Sequence, residues 1–170
     1  QSRLTWAEQG EAYSYAELVD LARPAPPLIS LIDPNDAAFL PAGDHPRWVR
    51  EQCAKRGQPV PETKGAILRA VLESLALKYR ETLDTLQQLS GQNIDVVHIM
   101  GGGSQNELLN QMTADATGIP VAAGPVEATV LGNALVQLIT LGEIKDLAQA
   151  RQVVAESQQV QRYEPRQSAA

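Results

Sequence analysis

The sequence predicts an α/β fold, and three observations carry that prediction. A β-branched run from Ile94 to Met100 enters a triple glycine and then a helical pattern. A second apolar run, Ile119 to Ala123, enters Gly124-Pro125 and then another helical pattern. Upstream, the stretch from about Pro61 to Ser90 keeps helical spacing throughout. Strand–turn–helix repeated twice behind a long helix is the grammar of a sheet with helices packed on it.

The elements follow in order. Gln1 to Gln9 has the weak pattern of a short helix. Ser14, with Glu17 three positions on, forms a capping box that opens a helix through about Ala22. Arg23-Pro24-Ala25-Pro26-Pro27 stops it, because prolines lack the N–H donor and restrict the residue before them. Leu28 to Ile32 reads as a short strand, and Asp33 to Pro46 as loop with turn signals. Asp44 or His45 caps a helix starting near Pro46 and ended by Gly57. In the long helix, Leu68, Leu72, Leu75, Tyr79, Leu83, Leu86 and Leu89 fall on one face, widened by Ile67, Val71 and Ala76, before Gly91 closes it. Ile94 to Met100 reads as a buried strand. The helix after the glycines sets Leu108, Leu109, Met112 and Ala116 on one side and ends at Gly118. Glu127 to Leu141 is an apolar helix closed by Gly142, and Asp146 to Glu156 a last amphipathic one. Gln158 to Ala170 is polar and is expected to fray.

Composition narrows the function classes. The 170 residues carry 14 Lys+Arg against 20 Asp+Glu, a formal net charge of −6, with 4% aromatics. That balance offers neither the basic face nor the stacking rings of a general nucleic-acid binder. No apolar run has membrane-spanning length, and no cationic-then-apolar signal opens the chain. Cys53 is the only cysteine, so neither an internal disulfide nor a cysteine zinc site is available. A reducing cytoplasm is the expected compartment. The chain starts at Gln1 without an initiator methionine, which suggests a piece of something larger.

The triple glycine is the feature that suggests chemistry. Consecutive glycines cost conformational entropy unless the backbone takes unusual dihedrals or something approaches it closely. Between a strand's carboxyl end and a helix start, they free N–H groups for a polar or anionic ligand. A tight strand–helix turn explains them equally well, and the residues alone leave both readings open. A dinucleotide fingerprint is only partial: Asn106 stands where a third glycine belongs, and Gly124-Pro125 separates Glu127 from the strand. No Lys-Ser or Lys-Thr follows the glycines, which excludes a Walker loop. Asp33, Asn35 and Asp36 fit turn chemistry rather than a calcium loop. His98 reads as a satisfied core or site-lining histidine, His45 as a helix-start residue, and Cys53 as a small apolar side chain. Arg47, Arg50, Lys55 and Arg56 read as a solvated face.

One resemblance sharpens this. The run from His98 to Gln111, continuing through Pro120-Val121 and Glu127-Ala128-Thr129-Val130-Leu131-Gly132-Asn133-Ala134, resembles the adenosine-binding region of the FGGY carbohydrate kinases. Tyr13 to Leu18, Phe39-Leu40-Pro41, Gly57 to Pro61 and Glu73 to Arg80 are similar to the same family. The resemblance implies part of the C-terminal lobe of an actin-like ATPase (ribonuclease H-like) fold, helix-rich with few strands. Residues 1–156 would be the ATP-binding portion and 157–170 a polar tail. It implies that Gly101, Gly102, Gly103, Ser104, Gln105 and Asn106 receive the nucleotide. Gly102 and Gly103 would lie toward the adenosine and α-phosphate, and Asn106 would bond the adenine. Gly132 would serve close helix packing. No catalytic residue and no metal ligand would lie in this chain. Mg²⁺ would be held mainly by the phosphates of ATP and by an N-terminal lobe, with general base and sugar contacts expected before Gln1. A sugar would bind between the lobes. The chain alone is then expected to be inactive, and to self-associate through uncovered sheet edge and apolar surface. The rival expectations are a family member acting on another ketose or polyol, and a non-catalytic domain whose glycine turn only packs.

Overall fold

A computed structural model describes residues 1–166, in two compact units that divide at Gly91 and Gln92. The tail residues 167–170 lie outside the described residues.

The first unit is helical: α1 (Ser2–Glu8), α2 (Tyr15–Ala22), α3 (His45–Lys55) and α4 (Lys64–Ser90), with a 3-10 turn at Ala37–Phe39. Its helix starts follow the capping chemistry of the sequence. Ser14 accepts from the Glu17 amide while the Glu17 carboxylate accepts from the Ser14 amide. That backbone hydrogen bond from Ser14, joined by the Ser14 hydroxyl, holds the Glu17 carboxyl below its usual range. Asp44 caps α3 through the Arg47 amide, and Thr63 caps α4 through the Ala66 amide. Gly65 lets α4 lie against the backbone of α2, where a Cβ would stand 2.1 Å from the Leu21 carbonyl oxygen. Ile32, Val49, Cys53 and Ile67 form the core, with Phe39 and Val71 packed against it.

Two expectations fail in this unit. Leu28 to Ile32 forms no strand. Its backbone is satisfied by side chains: the Leu28 amide donates to Glu73 (2.8 Å), Leu31 exchanges two hydrogen bonds with the Gln58 amide group, and the Ile32 amide donates to Ser74 (2.9 Å). An apolar run becomes a strand only where another strand can take its amides; here three side chains take them instead. The buried face of α4 also differs. It runs through Gly65, Ile67, Ala70, Glu73, Ser74 and Ala76, of which only Ile67 and Ala76 belong to the expected stripe. Small residues allow the close approach, so the leucines are left half-buried at Leu68, Leu72 and Leu75, and Leu86 and Leu89 are exposed.

The second unit is a βαβ element with two more helices and a closing strand. β1 (Val97–Ile99) pairs parallel with β2 (Val121–Ala123), with α5 (Glu107–Thr117) between them; α6 (Ala128–Leu141) and α7 (Leu147–Ser157) follow. β3 (Gln161–Tyr163) then pairs antiparallel on the far side of β2. Ala114, Val121, Ala123 and Tyr163 form the core, with Val97 and Ile99 against it. Three expectations change here. β1 is shorter than the apolar run and only half-buried, because in the order β1-β2-β3 it is an edge strand; His98 accordingly is exposed, not a core residue. The polar tail does not simply fray: it supplies β3, whose Tyr163 is buried. And Gly132 faces open space, since a Cβ there would meet nothing within 4 Å; α6 buries no residue, despite its apolar sequence.

Candidate functional site

β1 and β2 are parallel, so both end on the same side of the sheet, and each runs into a glycine. The two turns are tied together. The Gly101 amide donates to the Pro125 carbonyl (3.0 Å), and the Gly124 amide donates to the Ile99 carbonyl (2.8 Å). Carboxyl ends of adjacent parallel strands are where α/β folds receive ligands.

All six residues singled out in the sequence, Gly101 to Asn106, lie in one short piece of chain there: a 3-10 turn, Gly101–Gln105, whose last residue leads into Asn106, the cap of α5. Gly101 takes φ +76°, a left-handed conformation that glycine adopts freely. The Ser104 hydroxyl donates to the Gly101 carbonyl (2.7 Å), closing the turn from within. The Asn106 amide donates to the Gly103 carbonyl, and Asn106 Oδ1 accepts from the Leu109 amide (3.1 Å), which starts α5. Its Nδ2 group has no hydrogen-bond partner among the described residues. Gln105 is exposed.

Gly102 and Gly103 differ from these. Neither has a left-handed φ. A Cβ on Gly102 would meet nothing within 4 Å, and one on Gly103 only the Ile99 side chain at 3.7 Å, an ordinary contact. Both are exposed. The fold therefore accounts for one glycine of the three and leaves an uncovered stretch of backbone over the other two.

Two contributors escaped the sequence reading. Pro125 supplies a carbonyl to the turn. Asn110, fully buried on α5, donates from Nδ2 to the Ser104 carbonyl (2.8 Å). A polar residue among Leu108, Leu109 and Met112 was the available signal for it.

The remaining candidates are structural. Asp33 and Asp36 accept from the amides of Asn35 and Ala38, as turn residues do. His45 opens α3 and its Nε2 lies 3.1 Å from the Pro41 carbonyl. Cys53 is fully buried, and that burial pushes its thiol up against the opposing effects of Ser30 and Arg56. Lys64 sits over the rings of Trp6 and Tyr13 and pairs with Glu11. Among the described residues, no group of three or more His, Cys, Asp or Glu side chains is placed to hold a metal ion, and no helix is long and apolar enough to cross a membrane.

Compared with solved structures, the chain is similar to the xylulose kinase of Rhodospirillum rubrum, with a TM-score of 0.61 and 25% identity over 98% of this chain and 32% of that one. A xylulose kinase of Lactobacillus acidophilus has the same fold, with a TM-score of 0.58 over 95% of this chain. The fold is thus a helix-rich α/β one, that of part of the C-terminal lobe of an actin-like fold. Residues 1–141 match the C-terminal domain of the FGGY family of carbohydrate kinases, and the chain belongs to that family. Among curated relatives, it is 46% identical over 168 residues to the rhamnulokinase of Bacteroides thetaiotaomicron, which covers 99% of this chain and 34% of the relative. It is 44% identical over 151 residues to the rhamnulokinase of Enterococcus faecalis, covering 88% and 31%. The chain spans about one third of the length of these relatives.

Proposed function

We propose that this chain is the nucleotide-binding part of an ATP-dependent rhamnulokinase, which transfers a phosphoryl group from ATP to L-rhamnulose to give rhamnulose 1-phosphate. One observation carries the nucleotide site: Gly102 and Gly103 are glycines that neither dihedral angle nor packing requires, at the carboxyl end of a parallel strand. Bare backbone there lets a flat base and a ribose lie directly on the main chain. The sugar assignment is supported by the names of the relatives.

The residues present fit a nucleotide. Gly101 bends the chain out of β1, Gly102 and Gly103 leave the approach open, and Asn106 offers a donor beside them. Ser104 and Gln105 flank that surface. Bound ATP supplies the phosphoryl group. What this chain contributes is position: a turn fixed at both ends, which holds the nucleotide without rearranging as it binds. We assign no catalytic residue and no metal ligand to it. The general base, the sugar contacts and the groups that hold Mg²⁺ with the phosphates are placed in the part of the relatives that this chain does not span. The same reading places the enzyme in the cytoplasm, and assigns self-association of this chain to the β1 edge and the apolar face of α6.

The test is Asn106→Asp in the full-length protein. Aspartate caps a helix as asparagine does, so α5 keeps its start, while the side-chain donor is lost and a negative charge faces the nucleotide. ATP affinity should fall on the order of tenfold with sugar affinity unchanged. Unchanged ATP affinity overturns the assigned role. Activity on another ketose in preference to L-rhamnulose would move the protein to a different member of the family.

A further inference from the structure

We propose that Asn110 is a positioning residue for the glycine turn, holding its backbone in the form that receives the nucleotide; the inference rests on the nucleotide reading of that turn. Asn110 lies on the face of α5 that also buries Thr113 and Ala114, three and four positions on, and has no exposed surface. Its Nδ2 group donates to the Ser104 carbonyl, and the Ser104 hydroxyl donates to the Gly101 carbonyl. The buried face of the helix is thereby tied through Ser104 to the first residue of the turn. The orientation of the amide is fixed by chemistry, since a carbonyl accepts only from the NH₂ side.

The other half of the side chain makes the case. Asn110 Oδ1 is buried without a hydrogen-bond partner among the described residues. An unpartnered buried acceptor is a standing cost, which a leucine of similar size at this position would remove. Stability alone does not explain an asparagine here. A requirement to grip Ser104 does, because no apolar side chain supplies a donor. Local rules are broken in this way where a fold holds a working surface in place.

The experiment uses the full-length protein with Asn110→Leu and Asn110→Asp. Asn110→Leu removes both the grip and the orphan. It trades the orphaned Oδ1 for a Ser104 carbonyl that loses its donor, so the denaturation midpoint should stay close to that of wild type, yet the amides of Gly102 to Gln105 should exchange faster without nucleotide. ATP affinity should drop on the order of tenfold, while the KM for sugar stays put. Asn110→Asp sets a carboxylate against the Ser104 carbonyl. Its ATP affinity, as a ratio to wild type, should recover as pH falls, because the protonated carboxyl regains a donor; the Asn110→Leu ratio should stay flat. A structural role alone would not produce that pH dependence, and it decides the matter if Asn110→Leu does not fold. If ATP marks the turn in wild type and binds Asn110→Leu equally well, with amide exchange unchanged, this inference alone is overturned. If ATP leaves the amides of Gly101 to Asn106 unmarked in wild type, the nucleotide reading falls and this inference with it.

Discussion

Gly65 in the helical unit and Gly102 in the sheet unit are the same residue doing opposite things. Gly65 is where α4 meets the backbone of α2, and any Cβ would enter the Leu21 carbonyl. Gly102 has open space above it and an ordinary φ. The first glycine is spent on packing, the second on nothing that the fold uses. The contrast extends to ion pairs. Arg69 and Glu73 form a largely buried pair (2.6 Å) on α4, which also holds the Leu28 amide, whereas Arg166 and Asp115 meet at the surface beside β3 (2.7 Å). One unit is fixed from inside. The other leaves the backbone of Gly102 and Gly103 uncovered.

Substitutions in the two units can break or sharpen that contrast. The largest effect belongs to Gly65→Ala. The clash is with backbone and cannot relax by a rotamer change, so the loss should be about 3 kcal/mol or more, read as a shifted denaturation midpoint. A shift under about 1 kcal/mol would mean that α4 slides freely on α2. Arg69→Met comes next. It leaves the Glu73 carboxylate buried with only the Leu28 amide, at a cost of about 2 kcal/mol, and the Leu28 amide should exchange faster. An unchanged midpoint would show that water reaches Glu73.

Arg166→Ala should cost only about 0.5 kcal/mol, because exposed pairs contribute little. Its signature is in the pH dependence. Burial pushes the Asp115 carboxyl up, but hydrogen bonds from the Arg166 side chain and backbone and from Gln111 outweigh it, and the net direction is down. A carboxyl lowered by folding stabilises above its unfolded value and loses that contribution as pH falls through the folded one. The Arg166 amide resonance should therefore hold steady through the ordinary aspartate range and move only at lower pH. Movement within the ordinary range would show that the pair does not form in solution. The smallest effect on stability is expected from Gly102→Ala, within about 0.5 kcal/mol of wild type or slightly stabilising, yet with weakened ATP binding in the full-length protein. A marked loss of stability there would give Gly102 a packing role and remove the main support for the nucleotide site.

The legible parts of the sequence were those set by neighbouring residues. The caps at Ser14 and Asp44 and the stops at Gly91, Gly118 and Gly142 fall where local hydrogen bonding and left-handed glycine put them. The six candidate residues also form one turn, as their order suggested. What misled was apolar content without a partner. The leucine stripe of α4 reads as the core face, but apart from Ile67 and Ala76 the buried positions are Gly65, Ala70, Glu73 and Ser74, which carry little hydrophobic signal. Leu28 to Ile32 looked like a strand and became a side-chain-bonded loop. Val130, Val136 and Leu141 of α6 look like core residues and are exposed.

The sequence by itself determined where helices begin and end, that a glycine turn joins strand to helix, and which family the motifs point to. These depend on contacts within a few residues, or on words of sequence long enough to be specific. Tertiary structure alone decided which face of α4 is buried, that β1 is an edge strand and that the tail returns as β3. It alone separated the glycine that the fold requires from the two that it does not. Those facts depend on which distant carbonyl or side chain arrives at a given atom, and nothing in the local sequence of Gly65 or Gly102 records whether a backbone oxygen will be 2.1 Å from the missing Cβ or nowhere near it.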